Sequence, residues 1–412
     1  MSSRLGGRRD PRRLALVCAA AAVTVSAGAA ISIIAFHEWE PSVLVRMSEG
    51  DLMAGVARGY DPEFVLLPAE AHFDGVYFYT IALDPFARLN LHNRIDRFEY
   101  RYGHPGYGWI ASLLAMGILG DPERVPAALL LVSLAGMGLA GWAVSRIAVQ
   151  VGRSPWWGLM VAVNPGLVLS VTSLTSEPVG VALAATGLLL WLRGSVAPAC
   201  ALLAAACLVK EPFLLVPAGL FVWEGLELLR HRRQREVVVR LAALAACALP
   251  LALWYAYLRL HLGVFPFERS PDFFGVPLAG WFDSLRRAEV LLSSGASQIG
   301  SVAITLLWIV AAALLVGLVR ALRFRSPLDL MFLGAAALAA VFNWLLLLYP
   351  KDLLRELILP LLLLPAVVGT VDWMERRASQ TSGNARSLST EPEDRQEEAP
   401  KHRLDPERDG RH

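Results

Sequence analysis

The sequence predicts an all-α polytopic membrane protein, and three observations carry that prediction. Of the 412 residues, 55% are hydrophobic and only 18% are charged, with a mean hydropathy of +0.48. The charges come in clumps, and the apolar runs between them approach the ~20 residues that a helix needs to cross a bilayer. These runs are continuous and rich in Leu and Ala rather than alternating, so they read as helices. Only helices and closed barrels satisfy every backbone polar group inside lipid. The formal net charge of +2 carries no nucleic-acid signature, and no nucleic-acid partner is expected.

Each element can be justified in order. Residues 1–13, "MSSRLGGRRDPRR", read as a basic cytoplasmic N-terminus. The apolar run 14–36 behind them is longer than the roughly 7–15 residues of a signal-peptide core, so an uncleaved first span is expected. Further spans are expected at 124–149, 156–173, 178–193, 196–209, 212–229, 236–258, 297–320, 327–349 and 353–373, about ten in a range of 8–11. Arginines close alternate ends: Arg12 and Arg13 before the first span, Arg146 and Arg153 after the second, Arg193 after the fourth. The run "RHRRQR" follows the sixth, Arg320 and Arg323 the eighth, Arg376 and Arg377 the tenth. Placing all of them in the cytoplasm satisfies the positive-inside rule and puts both termini there, in a plasma (inner) membrane. The short pair 178–193 and 196–209 reads equally as tilted spans or as a re-entrant hairpin, and removing both leaves the sidedness intact.

Residues 14–377 therefore form a transmembrane domain with two long outer loops, 37–123 and 259–296. In the first, 107–119 is apolar but too short to span, which suggests an interfacial or half-buried helix. The second, "FPFERSPDFFGVPLAGWFDSLRRAEVLL", suits an irregular segment followed by a short amphipathic helix. The tail 378–412 is almost devoid of hydrophobic residues and reads as disordered and cytoplasmic. Cys18, Cys200, Cys207 and Cys247 all fall in apolar segments, so neither a disulfide framework nor a metal site is expected.

The first outer loop contains "AHFDGVYFYTIALDP", residues 71–85. On a helix begun near Asp74, residues Asp74, Tyr77, Phe78 and Ile81 share one face. That pattern suits a surface helix lying on lipid with its carboxylate at the head-group level. The alternative is that Asp74 simply caps the helix. Asp84, before Pro85, reads as the end of the same helix, and Asp96 is a weaker acid candidate. Next comes "FEYRYGHPGY", where Arg101 and His104 fit either an aromatic belt with head-group contacts or a site role. In "LVKEPF", Lys210 and Glu211 sit at the end of a span, where ionisable residues are either functional or snorkelling; Lys210 has Glu211 and Glu177 as candidate partners. Glu177 in "TSEP" fits the first turn of a helix capped by Ser176. In "YPKDLLRELILP", Lys351 and Arg355 lie one turn apart and either pair with neighbouring acids or reach one side together.

Three of these stretches together, "FDGVYFYTIALDP", "RYGHPGYGWIASLL" and "NPGLVLSVTSLTSEPVGVALAATGLLLW", resemble the GT-C class of integral-membrane glycosyltransferases. The likeness is greatest to the GPI-anchor mannosyltransferase-like family and its bacterial relatives. It covers roughly residues 60–225. Asp74-Gly75 matches the acid of the first outer loop in that class. Asn164-Pro165 followed by Ser176-Glu177 matches a second motif. The resemblance implies transfer of a sugar, such as mannose, from a polyprenyl-phosphate donor to an acceptor hydroxyl of a lipid, glycan or protein on the outer face. It further implies Asp74 as the base, an acceptor or sugar contact for Glu177, and a donor-phosphate contact near Lys351 and Arg355. Tyr77, Arg101, His104 and Lys210 complete the expected substrate-binding set, and no cofactor is expected. The sequence also lacks a Gly-rich phosphate loop and a close Asp-x-Asp pair, consistent with a donor that is not a nucleotide sugar.

Two other functions compete. A transporter or flippase draws on the ionisable residues at span ends but lacks the mid-span charges that a midplane site requires. A non-catalytic assembly factor would use the long outer loop as a docking surface.

Overall fold

A computed structural model describes residues 10–231, 234–269 and 273–368 of the chain. The basic N-terminus up to residue 9, Arg376, Arg377 and the tail 378–412 lie outside these residues. The described part is helical, with two isolated bridges, Ser48–Leu67 and Phe274–Phe342, as its extended pairings. It belongs to one unit, residues 1–371.

Fifteen helices matter here: α1 (Pro11–Ala35), α2 (Gly75–Leu83), α3 (Gly106–Ser112), α4 (Val125–Gln150), α5 (Pro165–Thr172), α6 (Glu177–Leu192), α7 (Val196–Val209), α8 (Leu215–His231), α9 (Gln234–Ala246), α10 (Leu249–Leu262), α11 (Ala279–Ser293), α12 (Ser297–Ala321), α13 (Pro327–Ala340), α14 (Pro350–Glu356) and α15 (Ile358–Val368). Five segments are long and apolar enough to cross a membrane: 11–35, 122–150, 211–229, 235–262 and 297–321. Five more apolar helices run 10–17 residues. A bilayer is thus the natural surrounding of the bundle.

Helix α4 packs between α1 and α6, α6 against α7, and α8 against α13, while α12 packs on α11, α13 and α15. Cys18, Cys207 and Cys247 are buried and Cys200 half-buried, all in or beside these helices.

Several expected spans are broken, each for a local reason. Residues 156–173 divide at Asn164-Pro165, where Pro165 has no N–H to continue a helix and the Asn164 side chain caps the Leu167 N–H at 3.1 Å. Residues 327–349 stop as a helix at Ala340. The chain then runs alongside the second long loop, with the Asn343 N–H donating to Phe273 O at 2.7 Å and Gly275 N–H to Val341 O at 2.8 Å. The segment expected from 353 begins earlier, at Pro350, and kinks at Leu357 before α15. Residues 236–258 become α9 and α10, with Pro250 in the first turn of the second.

The largest correction concerns α2. A lipid-resting surface helix was expected there, yet every residue from Gly75 to Leu83 is buried in protein. Gly75 is the enabling residue, because a Cβ there would lie 2.6 Å from the carbonyl oxygens of both Val45 and Ser173. Only glycine lets this helix start so close to two other backbones. The apolar piece after it behaves as the sequence suggests: α3 packs Gly108 on Ile81, and its continuation leaves Leu113 and Ile118 exposed. The second long loop ends in the amphipathic α11, with Trp281 and Ala288 buried and Phe282 and Val290 exposed.

Candidate active site

The start of α2, the end of α7 and the short helix α14 meet at one end of the bundle. Gly166 in the first turn of α5 touches the Leu354 backbone, so α5 carries α14 without any intervening side chain. This contact explains why an Asn-Pro-Gly stretch lies beneath the helix that holds Arg355.

Asp74 does not cap α2, contrary to one sequence alternative, because its side chain makes no capping hydrogen bond. Instead one carboxylate oxygen accepts from Arg355 Nη1 at 2.5 Å and the other from Arg101 Nη1 at 3.3 Å. Burial by itself would raise the Asp74 pKa, but Arg355 and Arg101 outweigh it and hold the carboxyl well below the usual range. The Arg101 guanidinium carbon lies over the Tyr77 ring, 3.7 Å from its centroid, a cation–π contact. The Tyr77 hydroxyl meets His72 Nε2 at 3.3 Å, and His72 Nδ1 meets Asp51 at 2.9 Å.

Arg355 is 8% exposed and faces four carboxylates: Asp74, Glu177 at 3.5 Å, Glu356 at 3.5 Å and Asp352 at 3.8 Å. Lys210 bridges Glu177 and Glu356 at 2.8 and 2.9 Å. Glu177 opens α6 with Pro178 in its first turn, as the sequence suggests, although Ser176 at the N-cap position makes no side-chain cap, and Glu177 is at the same time an ion-pair partner. Of the two partners the sequence offered Lys210, Glu177 is the one adopted. Glu211 turns to His104 Nδ1 at 3.3 Å and Tyr255 OH at 2.8 Å. Among the described residues no carboxylate lies within ion-pair distance of Lys351, which stands over the Phe73 ring at 4.5 Å. Asp84 ends α2 as expected, accepting the Arg88 and Leu89 N–H groups at 2.7 and 3.0 Å. Asp96 stays peripheral, 3.9 Å from Arg101 and largely exposed.

These groups share the wall of one cavity of about 780 Å³. Asp74, Tyr77, Arg101, His104, Glu177, Lys210, Lys351 and Arg355 all line it. Five carboxylates and five Lys or Arg side chains contribute, so the wall is close to neutral and its chemistry depends on who pairs with whom. Sequence reasoning passed over Asp352, Glu356, Tyr100 and Tyr255 as site residues. The clustering of four charges within "KDLLRE" was the available signal for the first two. Burial pushes the Asp352 carboxyl up to about 6, against the lowering influence of Arg355 and Lys351.

The rest of the cavity is apolar. Phe273, Phe274 and Phe342 surround the bridge between the second long loop and the segment after α13, and Leu338 and Leu346 extend this wall. Tyr100 joins the two lobes, its ring 5.4 Å from His104 and 5.6 Å from Phe273. Among the described residues, no group of three or more His, Cys, Asp or Glu side chains is placed to hold a metal ion. Chemically, the charged lobe can bind an anion, orient hydroxyls and accept a proton, while the aromatic lobe can hold a chain. Neither the known protein-family models nor the curated protein sequences contain a match to this chain.

Proposed function

We propose that this protein is a membrane glycosyltransferase. It moves a hexose, with mannose the first candidate, from a polyprenyl-phosphate donor to an acceptor hydroxyl on the extracytoplasmic face. The observation that supports this reading is the two-lobed cavity in a bilayer-sized helical bundle, with paired acids and cations in one lobe and aromatic and aliphatic side chains in the other. A lipid-linked sugar phosphate has that same division of polarity.

In this reading the acceptor oxygen attacks the anomeric carbon while the bond from that carbon to the phosphate oxygen breaks. The acceptor proton passes to Asp74 as general base. The bonding electron pair leaves with polyprenyl phosphate, whose growing charge Arg355, Lys351 and Lys210 stabilise. Glu177, Tyr77 and His104 position sugar and acceptor hydroxyls, and Arg101, beside Asp74, joins the contacts to the donor phosphate. One base and one displacement give inversion at the anomeric carbon.

The test is transfer of labelled sugar from polyprenyl-phosphate donors by the purified chain in lipid nanodiscs, with Asp74→Asn as control. We expect the variant to insert normally and to lose transfer by a factor on the order of 10²–10⁴. Full activity in that variant would remove Asp74 as the base. Movement of labelled lipid across a vesicle without a new glycosidic bond would replace this reading with the transport one.

A further inference from the structure

The position of Asp74 poses a difficulty for the reading above that also suggests its regulation. A general base must be able to gain a proton, yet each Asp74 oxygen accepts a hydrogen bond from a guanidinium group, and two such cations hold its basicity down. Resting on the sugar-transfer reading, we propose that donor phosphate unlocks Asp74 by drawing Arg355 and Arg101 away from it, so that donor must bind before acceptor can react.

The argument begins with the donors on these arginines. Arg355 faces four carboxylates but makes one side-chain hydrogen bond, to Asp74; its contacts with Glu177, Glu356 and Asp352 lie at 3.5–3.8 Å without hydrogen-bond geometry. Its Nε is buried without a hydrogen-bond partner, and so is the Nε of Arg101. Both guanidinium groups are therefore surrounded by charge but poorly supplied with acceptors. A phosphate brings several acceptor oxygens that match the planar fork of an arginine. It also enters beside Lys351, which no carboxylate among the described residues holds and which stands over the Phe73 ring.

Binding then acts on Asp74 twice. The arginines that suppress its basicity are shared with or lost to the phosphate, and a new negative charge arrives nearby. Each change favours protonation of Asp74. Acceptor arriving first would meet a carboxylate paired with two cations, which lower its affinity for the acceptor proton. The same arrangement spares the site from activating water before the donor is in place.

The experiment measures binding of polyprenyl phosphate, without sugar, to the full chain in nanodiscs. If Asp74 competes with phosphate for the same two arginines, Asp74→Asn binds this lipid at least about tenfold more tightly than wild type, a change of about 1.4 kcal/mol. Equal or weaker binding by the variant would mean that Asp74 helps to hold the arginines for phosphate, and overturns the proposal. Failure of the wild-type protein to bind the lipid removes the sugar-transfer reading and the gate together, whereas wild-type binding with an unchanged variant removes the gate alone. Should the variant not fold, the wild type answers by itself. Carbodiimide labelling at position 74, read by peptide mass, rises when polyprenyl phosphate is added; labelling that stays level or falls overturns the proposal.

Discussion

Two groups of arginines stand at opposite ends of α6, and they obey different physics. Near Glu177, at the start of the helix, Arg355 and Arg101 are buried among carboxylates. Past its other end, Arg193 lies within electrostatic reach of Arg146 and Arg12, with no carboxylate among the described residues in ion-pair distance of these three. The second group is what membrane topology asks for: cations gathered together, Arg12 and Arg193 exposed and Arg146 half-buried, mutually repelling. Topology does not require the first group. Burying a cation among acids costs desolvation that the pairing must offset, and such sites are most often retained for what they do. A cation's surroundings, rather than its presence at a span end, separate site from scaffold in this chain.

The comparison breaks most sharply at Arg355. Replacing it with Gln leaves Asp74, Glu177, Glu356 and Asp352 facing one another with Lys210, Arg101 and Lys351 as nearby cations. Removing one partner of a buried pair costs about 3–5 kcal/mol because the remaining charge is stranded. We expect a fall of that order in thermal stability in detergent, together with loss of sugar transfer. A variant as stable as wild type would show that the cluster is more solvated than its burial indicates.

Much of this was legible in the sequence, for reasons that particular residues show. The long apolar runs revealed themselves because bilayer thickness sets a length scale. Among the candidate residues, Glu177, Lys210, Lys351 and Arg355 sit near Pro at the ends of such runs, where ionisable side chains are conspicuous, and Asp74, Tyr77, Arg101 and His104 stand among Gly and aromatic residues of the first long loop. The surroundings of α2 were hidden. Periodicity reported that Asp74, Tyr77 and Phe78 share a face, but not that the backbones of Val45 and Ser173 close over its start. A short apolar stretch between polar ones reads equally as interfacial or as core. Glu356 and Asp352 were hidden for a related reason: both adjoin Arg355 in sequence and read as local partners, while Lys210, which binds Glu356, comes from another helix.

A smaller effect, with a defined pH sign, separates the two carboxylates that share Arg355. Asp74 is held below its ordinary value, whereas Asp352 is pushed up to about 6 because burial exceeds what Arg355 and Lys351 return. An acid whose folded pKa is raised keeps its proton in the folded state after the unfolded chain has lost it. Its charge therefore weighs against folding progressively as pH rises from about 4 through 6. Asp352→Asn should thus unfold at a higher temperature than wild type above pH 6, with the gap closing toward pH 4. Thermal unfolding across that range checks this. A gap that widens on acidification would reverse the sign and place Asp352 with Asp74 as a favourably paired anion.

The smallest effect belongs to the arginines past the end of α6. Arg193→Gln removes one exposed member of a repelling group, and surface changes of this kind usually fall within about 0.5 kcal/mol. Salt distinguishes it from the site. Between about 0.01 M and about 1 M ionic strength the screening length drops from about 30 Å to about 3 Å, which erases interactions between exposed charges and spares buried ones. The slight stabilisation expected from Arg193→Gln at low salt should therefore vanish at high salt, while the deficit of Arg355→Gln persists. Unfolding of both variants at the two salt concentrations measures this directly. If the Arg355→Gln deficit also vanished, water and ions would have to reach the Asp74 pair freely, and a guanidinium so accessible would have no need of a donor phosphate to release it.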